Sequence, residues 1–402
     1  MSSIKKKEKN ILFPLFHSPF HEQFSSQMRG GLWNDWGGYK AATVVQDEEL
    51  EYFAIRSTCS LFDASPLIKY RIEGPDAEIF LNKLTLRNVS SLNSGKVQYT
   101  AWCDDEGFVL DDGTLFKFAE NKFRLCCQER HLPWLLDSAL GLNVKILDET
   151  DLFAALSIQG PTSAAVLKSS GFAQISKLEP FDLINLPFEG NEITISRTGF
   201  TGDLGYEIFL PNVLASKLWD SIWNTGEKFG IRAIGFNALN LARIETGFII
   251  ANTDFITSEH ALREDRKRRP DEISLGWMVD LNKDHFNGKT AIINARQNNQ
   301  NSFCSVALEI EGKESAEGSI IYHNKSKEVG IITSAAWSPT AKKSIALATL
   351  KNPFGTKYKN NLWVEIYALR ELQYHKLMRK VTIVKRPFVK LPRRTMTPPL
   401  DF

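Results

Sequence analysis

A chain of 402 residues exceeds what one hydrophobic core usually serves, so two or three domains are expected. Its hydrophobic fraction of 43% and charged fraction of 24% suit an ordinary globular protein, and a formal charge of +2 argues against a nucleic-acid binder built on bulk positive charge. Five cysteines without a C-x-x-C pair, and seven scattered histidines, point to a reducing compartment and to neither a disulfide scaffold nor a metal site.

The start, MSSIKKKEKNILFPLF, is basic, but its apolar stretch Ile11 to Phe16 is short and holds Pro14. It has no signal-peptide core, and no run approaches the roughly 20 apolar residues that cross a membrane, so a cytoplasmic address without a membrane partner is expected. His17 and His21 stand four apart, with Pro19 breaking any helix that would align them. Residues 1 to about 45, including GGLWNDWGGY at Gly30 to Tyr39, look too irregular for a helix. Glu48 to Ile55 reads as a short helix. Leu61 to Ser65 and Leu67 to Glu73 read as extended, the second alternating Ile68, Tyr70, Ile72 against Lys69, Arg71, Glu73. Gly74 to Leu84 carries Pro75, early acids, and Ala77, Phe80, Leu81, Leu84 at helical spacing. A similar opening recurs at Gln159 to Lys168.

Gln98 to Phe118 packs acids around Gly107 between two strand-like runs. Asp104, Asp105 and Glu106 precede the glycine and read as solvated turn acids. Asp111 and Asp112 instead lie inside a strand pattern, where burial demands a partner or a task. Period-two geometry sends them to opposite faces, so only one can face a shared pocket. Lys122 to Cys127 is expected to pair with Thr114 to Phe118 as a hairpin, with Cys126 and Cys127 in the core. Ile193 to Arg197 is a further strand, leading into GFTGDLGYE at Gly199 to Glu207. That motif is either a glycine-bearing hairpin or a place where a flat ligand approaches the backbone, with Glu207 as acceptor. An amphipathic helix follows from Asn212 to about Phe229, and another from near Asn237 to a stop at Gly247.

Thr257 to Pro270 is a charged insertion whose arginines alternate with acids, a solvated face or a docking site for an acidic partner. Lys283-Asp284-His285 reads as a turn entering a helix. Beyond Phe303 short β-rich runs suggest a separate barrel or sandwich, and the irregular mixture of strands and helices makes the fold class α+β.

Several segments together resemble the aminomethyltransferase family, the T protein of the glycine cleavage system and its relatives. They include LFDAS at Leu61, GPDAEIFL at Gly74, GKVQYT at Gly95, CDDEGFVLDD at Cys103, SIQGPTS at Ser157, SRTGFTGDLGYE at Ser196, ARIETG at Ala242, LGWMVDLNKDHFNGK at Leu275 and SPTAKKSIALA at Ser338. The resemblance implies a three-lobed molecule whose central hole holds tetrahydrofolate, with a β-barrel as third lobe. It divides the chain into residues 1–65 with 160–255, which bind folate, 66–159 with 256–302, which carry Asp112, and 303–402. By position, Asp112 matches the acid that contacts the pterin and handles the proton at the reacting nitrogen. Tyr99 and Glu207 match pterin-pocket residues, and Trp277 an aromatic of the pocket. Arg393 or Arg394 matches an arginine near the folate glutamate. Pro66 and Leu67 stand where glycine cleavage enzymes have His-Met, Leu239 stands where they have arginine, and Phe116 and Phe200 replace tyrosines. This loss of one cation and two hydroxyls turns the expectation toward a small N- or S-methylated donor. The alternatives are an aminomethyl group on a lipoylated carrier protein and a non-catalytic folate-binding regulator, whose K-G-C-Y-x-G-Q-E signature the chain lacks.

Overall fold

Short runs of alternating apolar residues build three large sheets, and the chain passes twice between the first two before closing the third. The computed structural model describes residues 14–396 and 398; the basic start up to Phe13, on which the expectation about a leader rested, lies outside them. The segment judged too irregular for a helix holds α1 (His21–Gln27) and a hairpin of β1 (Leu32–Trp36) and β2 (Tyr39–Val44). Gly37 and Gly38 explain the difference: both take positive φ, so the tryptophan-rich run folds back on itself. Trp36 packs on Phe62 at 5.9 Å. Although Pro19 precedes the helix, His17 still stacks on His21 at 3.7 Å.

The helix α2 (Glu48–Ser57) starts at Asp47, whose side chain accepts from the Leu50 amide. It leads through β3 (Cys59–Asp63) to β4 (Ile68–Glu73), α3 (Ala77–Leu84), β5 (Lys96–Cys103), β6 (Val109–Ala119), β7 (Lys122–Cys127), α4 (Leu132–Ser138) and β8 (Lys145–Asp148). The chain returns through β9 (Phe153–Gln159), α5 (Ser163–Ser169), β10 (Leu183–Phe188), β11 (Asn191–Ser196), β12 (Gly205–Pro211), α6 (Ala215–Gly226), β13 (Ile231–Ala233) and α7 (Phe236–Thr246). Gly247 ends α7 in the left-handed region, as expected. After α8 (Lys289–Gln297) come the strands β14 (Phe303–Ile310), β15 (Ile320–His323), β16 (Lys327–Ser338), β17 (Lys343–Lys351), β18 (Leu362–Arg370) and β19 (Gln373–Val384).

The first sheet runs β10-β11-β12-β9-β3-β13, the second β5-β6-β7-β4-β8, and the last six strands close a barrel in the order β14-β17-β16-β15-β18-β19. The α+β class and the terminal barrel are therefore as expected; β15, only four residues long, left no readable pattern. The strand β9 hydrogen-bonds between β12 and β3, on the far side of the boundary expected at residue 159. Its residues are buried on both faces, as a central strand requires. Among the described residues no helix is long and apolar enough to cross a membrane.

The helices α5 and α6 cover one face of the first sheet, and α3 and α4 cover one face of the second. The uncovered faces meet each other. There Phe116 of β6 touches Phe209 of β12 edge-on, with ring centres 5.2 Å apart. A third set of apolar residues, from Ala101 and Val109 through Phe255 to Ala307 and Leu347, ties the second sheet to the barrel.

Candidate functional site

Alternation along β6 separates its two acids as expected. Asp111 points into the covered side and is fully buried, accepting from the Glu129 amide at 3.1 Å and facing His131 Nε2 at 3.0 Å. Asp112 points to the inner face and is half-buried, with Tyr99 Oη donating to its Oδ2 at 2.6 Å. Burial, and then the charge of Asp111, push the Asp112 carboxyl up to about 7, while the bond from Tyr99 pulls the other way. Burial and Asp112 together keep the Tyr99 hydroxyl protonated, so it remains a donor. A carboxyl poised near neutrality can hold or release a proton under working conditions.

The opposing wall is the inner face of the first sheet. Glu207 of β12 lies there, paired in register with Ser196 and Ser157, and accepts from the Thr198 hydroxyl. Its carboxyl is raised by burial. Thus Asp112, Tyr99 and Glu207 come from two sheets to two facing surfaces. Beside them Phe116 and Leu239 are buried in one apolar cluster, against which Leu67, Phe118 and Phe200 pack half-buried. Four positions singled out along the sequence, Leu67, Phe116, Phe200 and Leu239, are therefore neighbours in space.

The two terminal arginines differ sharply. Arg393 is tied to the buried Asp203 at 2.5 and 2.8 Å, and donates to the Arg56 carbonyl at 2.8 Å. Arg394 has no ion pair among the described residues and lies over Phe248 at 5.1 Å, whose ring stacks on Phe200 at 5.5 Å. Trp277, expected within the pocket, is 64% exposed. It lies 5.4 Å under Arg87, whose Nη1 donates to the Tyr99 carbonyl at 3.1 Å.

The glycines of GFTGDLGYE serve the protein itself. A Cβ at Gly199 or Gly205 would lie 2.2 Å from the Gln159 side chain, which the loop encloses. The Gln159 amide donates to Thr198 and Tyr206 carbonyls and accepts from Thr201, so Gly199 and Gly205 are accounted for by Gln159 within the hairpin of β11 and β12. The basic insertion is also largely used internally: Lys267 pairs with Glu264, Arg268 packs on Phe303 at 3.8 Å, and Arg269 on Phe108 at 4.4 Å. Cys126 and Cys127 are buried, as expected. A separate hollow of about 530 Å³, lined by His17, Ser18, Tyr39, Thr150 and Asp151 among others, includes none of the expected site residues.

Residues 20–283 match the GCVT N-terminal domain model, and residues 304–390 match that of the glycine cleavage T-protein C-terminal barrel domain. The chain belongs to the glycine cleavage T-protein family. An aminomethyltransferase of Bacillus subtilis is 30% identical over 368 residues, covering 90% of this chain and 96% of that relative. A trimethylamine-oxide aldolase of Ruegeria pomeroyi is 33% identical over 344 residues, which are 82% of this chain but 42% of that longer protein. The crystal structure of aminomethyltransferase T from Bartonella henselae covers 94% of this chain and 98% of its own with a TM-score of 0.81 at 22% identity, a likeness of fold.

In this T-protein-family chain, three side chains near the site went unnoticed in the sequence. Arg124 lies on the inner face under Phe118, Phe153 and Phe209, at 5.4, 4.6 and 5.6 Å. Alternation in KFRLCC could have placed it opposite the buried Phe123 and Leu125. Phe248 directly follows the glycine that stops α7. Asp254, whose charge also reaches Asp112, is held by Arg243 at 2.5 Å and by Ser334 of the barrel at 2.7 Å. No local pattern marks it, because its partners come from two distant segments.

Proposed function

We propose that the chain is a tetrahydrofolate-dependent one-carbon transferase that moves a methyl or methylene group from a small N- or S-methylated donor. The observation that carries this reading is Asp112: a half-buried acid held near neutrality on an inner face, opposite a second acid and beside an apolar wall. The residues present suit the folate. Asp112 and Glu207 offer carboxyl groups to the polar edge of a pterin from opposite walls, and Phe200 with Phe248 offers an aromatic surface. Arg394, which has no ion pair among the described residues, would meet the glutamate carboxylates, while Arg393 is committed to Asp203.

Tetrahydrofolate, when bound, supplies the nitrogen that accepts the one-carbon unit. Asp112 in its ionised form takes a proton at Oδ1 or Oδ2, and Tyr99 steadies the resulting changes of charge through its hydrogen bond. Leu239, Leu67, Phe116 and Phe200 exclude water from the donor side. Their lack of charge favours a compact methylated donor, whereas the identity to aminomethyltransferases supports a second reading with lipoylated carrier protein. In either case we assign a cytoplasmic setting.

The deciding assay measures methyl- and methylene-tetrahydrofolate formed from a panel of methylated amines and sulfonium compounds, with and without lipoylated carrier. Product from a free donor supports the proposal; product only with the carrier rejects it in favour of the second reading.

A further inference from the structure

Beyond β19 the chain returns from the barrel to the first sheet as a strap, and a buried arginine that the proposed chemistry does not use holds its far end. Arg197 follows β11 and is 5% exposed. Its amide donates to the Asp182 carbonyl at 2.8 Å and its carbonyl accepts from the Phe181 amide at 3.0 Å, so its backbone is fixed on both sides. Among the described residues no carboxylate is in ion-pair contact with its guanidinium. Nη1 instead donates to the Leu178 carbonyl at 2.8 Å, and Nη2 to the carbonyls of Arg394, at 3.4 Å, and of Met396. A buried cation needs strong acceptors, and the planar fork of an arginine can take several carbonyls at once.

The strap has two earlier attachments. The Phe388 and Val389 amides donate to the Glu245 carbonyl at 2.8 and 3.3 Å, and the Arg393 side chain reaches Asp203 and the Arg56 carbonyl. Arg394 comes next, its side chain over Phe248 and without an ion pair among the described residues. Its backbone belongs to a single turn, Pro392–Arg394, closed by the Thr395 and Met396 amides on the Pro392 carbonyl at 3.1 and 3.2 Å. One turn is not stable by itself in water, so the place of its carbonyl end depends on the groups that receive it. Arg393 acts through its side chain one residue short of Arg394, whereas Arg197 binds the carbonyl of Arg394 itself and the one two residues on.

We propose that Arg197 is the positioning residue for Arg394: by gripping the carbonyls of Arg394 and Met396 it fixes the end of the strap, so that the Arg394 guanidinium stays over Phe248, where the folate glutamate would meet it. This rests on the reading of Arg394 given above, but one arm of its test needs no folate. That arm is trypsin cleavage after Arg394 in the full chain, followed by release of the Thr395–Phe402 peptide. A protease cuts a segment only as often as the segment opens, so Arg197→Met should speed this cleavage about 10-fold or more. Arg197→Lys, with one ammonium for three carbonyls, should give a rate in between.

The other arm is calorimetry with tetrahydrofolate and with a tetrahydropterin that lacks the glutamate. Arg197→Met should weaken tetrahydrofolate about 3- to 10-fold, as Arg394→Ala does, and leave the pterin within about 2-fold. In the double variant the second substitution should add nothing, because both act through one guanidinium. A general disturbance of the fold would weaken both ligands alike and multiply with Arg394→Ala. Either of those results, or cleavage at the wild-type rate in the Arg197 variants, overturns the proposal, and Arg197→Lys decides the cleavage arm if Arg197→Met fails to fold. Faster cleavage in Arg197→Met beside an Arg394→Ala protein that binds tetrahydrofolate as the wild type does would instead count against the folate reading of Arg394 alone.

Discussion

The polar and apolar parts of the space between the two sheets are built on opposite terms. Asp112, Tyr99 and Glu207 each keep a hydrogen-bond partner while remaining half-buried, Tyr99 as a standing donor and the two acids with carboxyls raised by burial. A few residues along the same strand, Phe116 shares an apolar cluster with Leu239, Leu67 and Phe200, none of which carries a charge. The contrast separates two tasks. On the proposed reading, proton handling falls to the acids and the choice of donor to a wall from which one expected cation and two expected hydroxyls are missing.

The largest effect should come from the polar side. Asp112→Asn is expected to lower transfer about 10²- to 10⁴-fold while leaving tetrahydrofolate affinity within a few-fold, measured by turnover and calorimetry. It should also stabilise the fold. The folded carboxyl is raised to about 7 against an unfolded value of about 4, so the native state binds more protons between those limits. Wild-type stability is therefore lost as pH rises through this window. After allowance for solvent screening, the asparagine variant should gain on the order of 1–2 kcal/mol in urea unfolding near pH 8 and nothing near pH 4. Full transfer in the variant would break the division between the two parts.

Leu239→Arg attacks the apolar side. An unpaired guanidinium in that cluster should cost about 2–4 kcal/mol of stability and depress kcat/KM for a free methylated donor about 100-fold. Carrier-dependent product appearing in this variant would identify position 239 as the discriminator. Unchanged kinetics with the free donor would mean that the wall does not contact it.

Much of this arrangement was legible because alternation is local. Opposite faces for Asp111 and Asp112, the hairpin of β6 and β7, and the stop at Gly247 each depend on a few consecutive residues. What was not legible depends on pairing across the fold. Gly199 and Gly205 close on Gln159, some forty residues away, a partner that their spacing alone does not reveal. Arg393 and Arg394 are equivalent until Asp203 and Phe248 are in place. The early hairpin turns on two adjacent glycines, Gly37 and Gly38, inside a tryptophan-rich run that lacks strand alternation.

Tyr99→Phe sharpens the polar side more gently. It removes the bond at 2.6 Å that favours the ionised form of Asp112, so the pH limb of turnover should move upward and the rate at neutral pH should fall about 10-fold. A rate loss with an unmoved limb would assign Tyr99 to ring packing alone.

The smallest effect on transfer should come from the terminal arginines, where the comparison reduces to neighbouring residues of one type. Arg394→Ala is expected to weaken folate about 3- to 10-fold, with the loss shrinking for an analogue without the glutamate, and to leave thermal stability unchanged. Arg393→Ala withdraws a bidentate partner from the fully buried Asp203, which then keeps Arg56 at 3.3 Å and the Leu204 amide at 2.8 Å. It should cost about 1–3 kcal/mol of stability, with the analogue and the full folate affected alike. If the two variants exchange behaviour, the ligand arginine is Arg393, and the ion pair with Asp203 must open whenever folate binds.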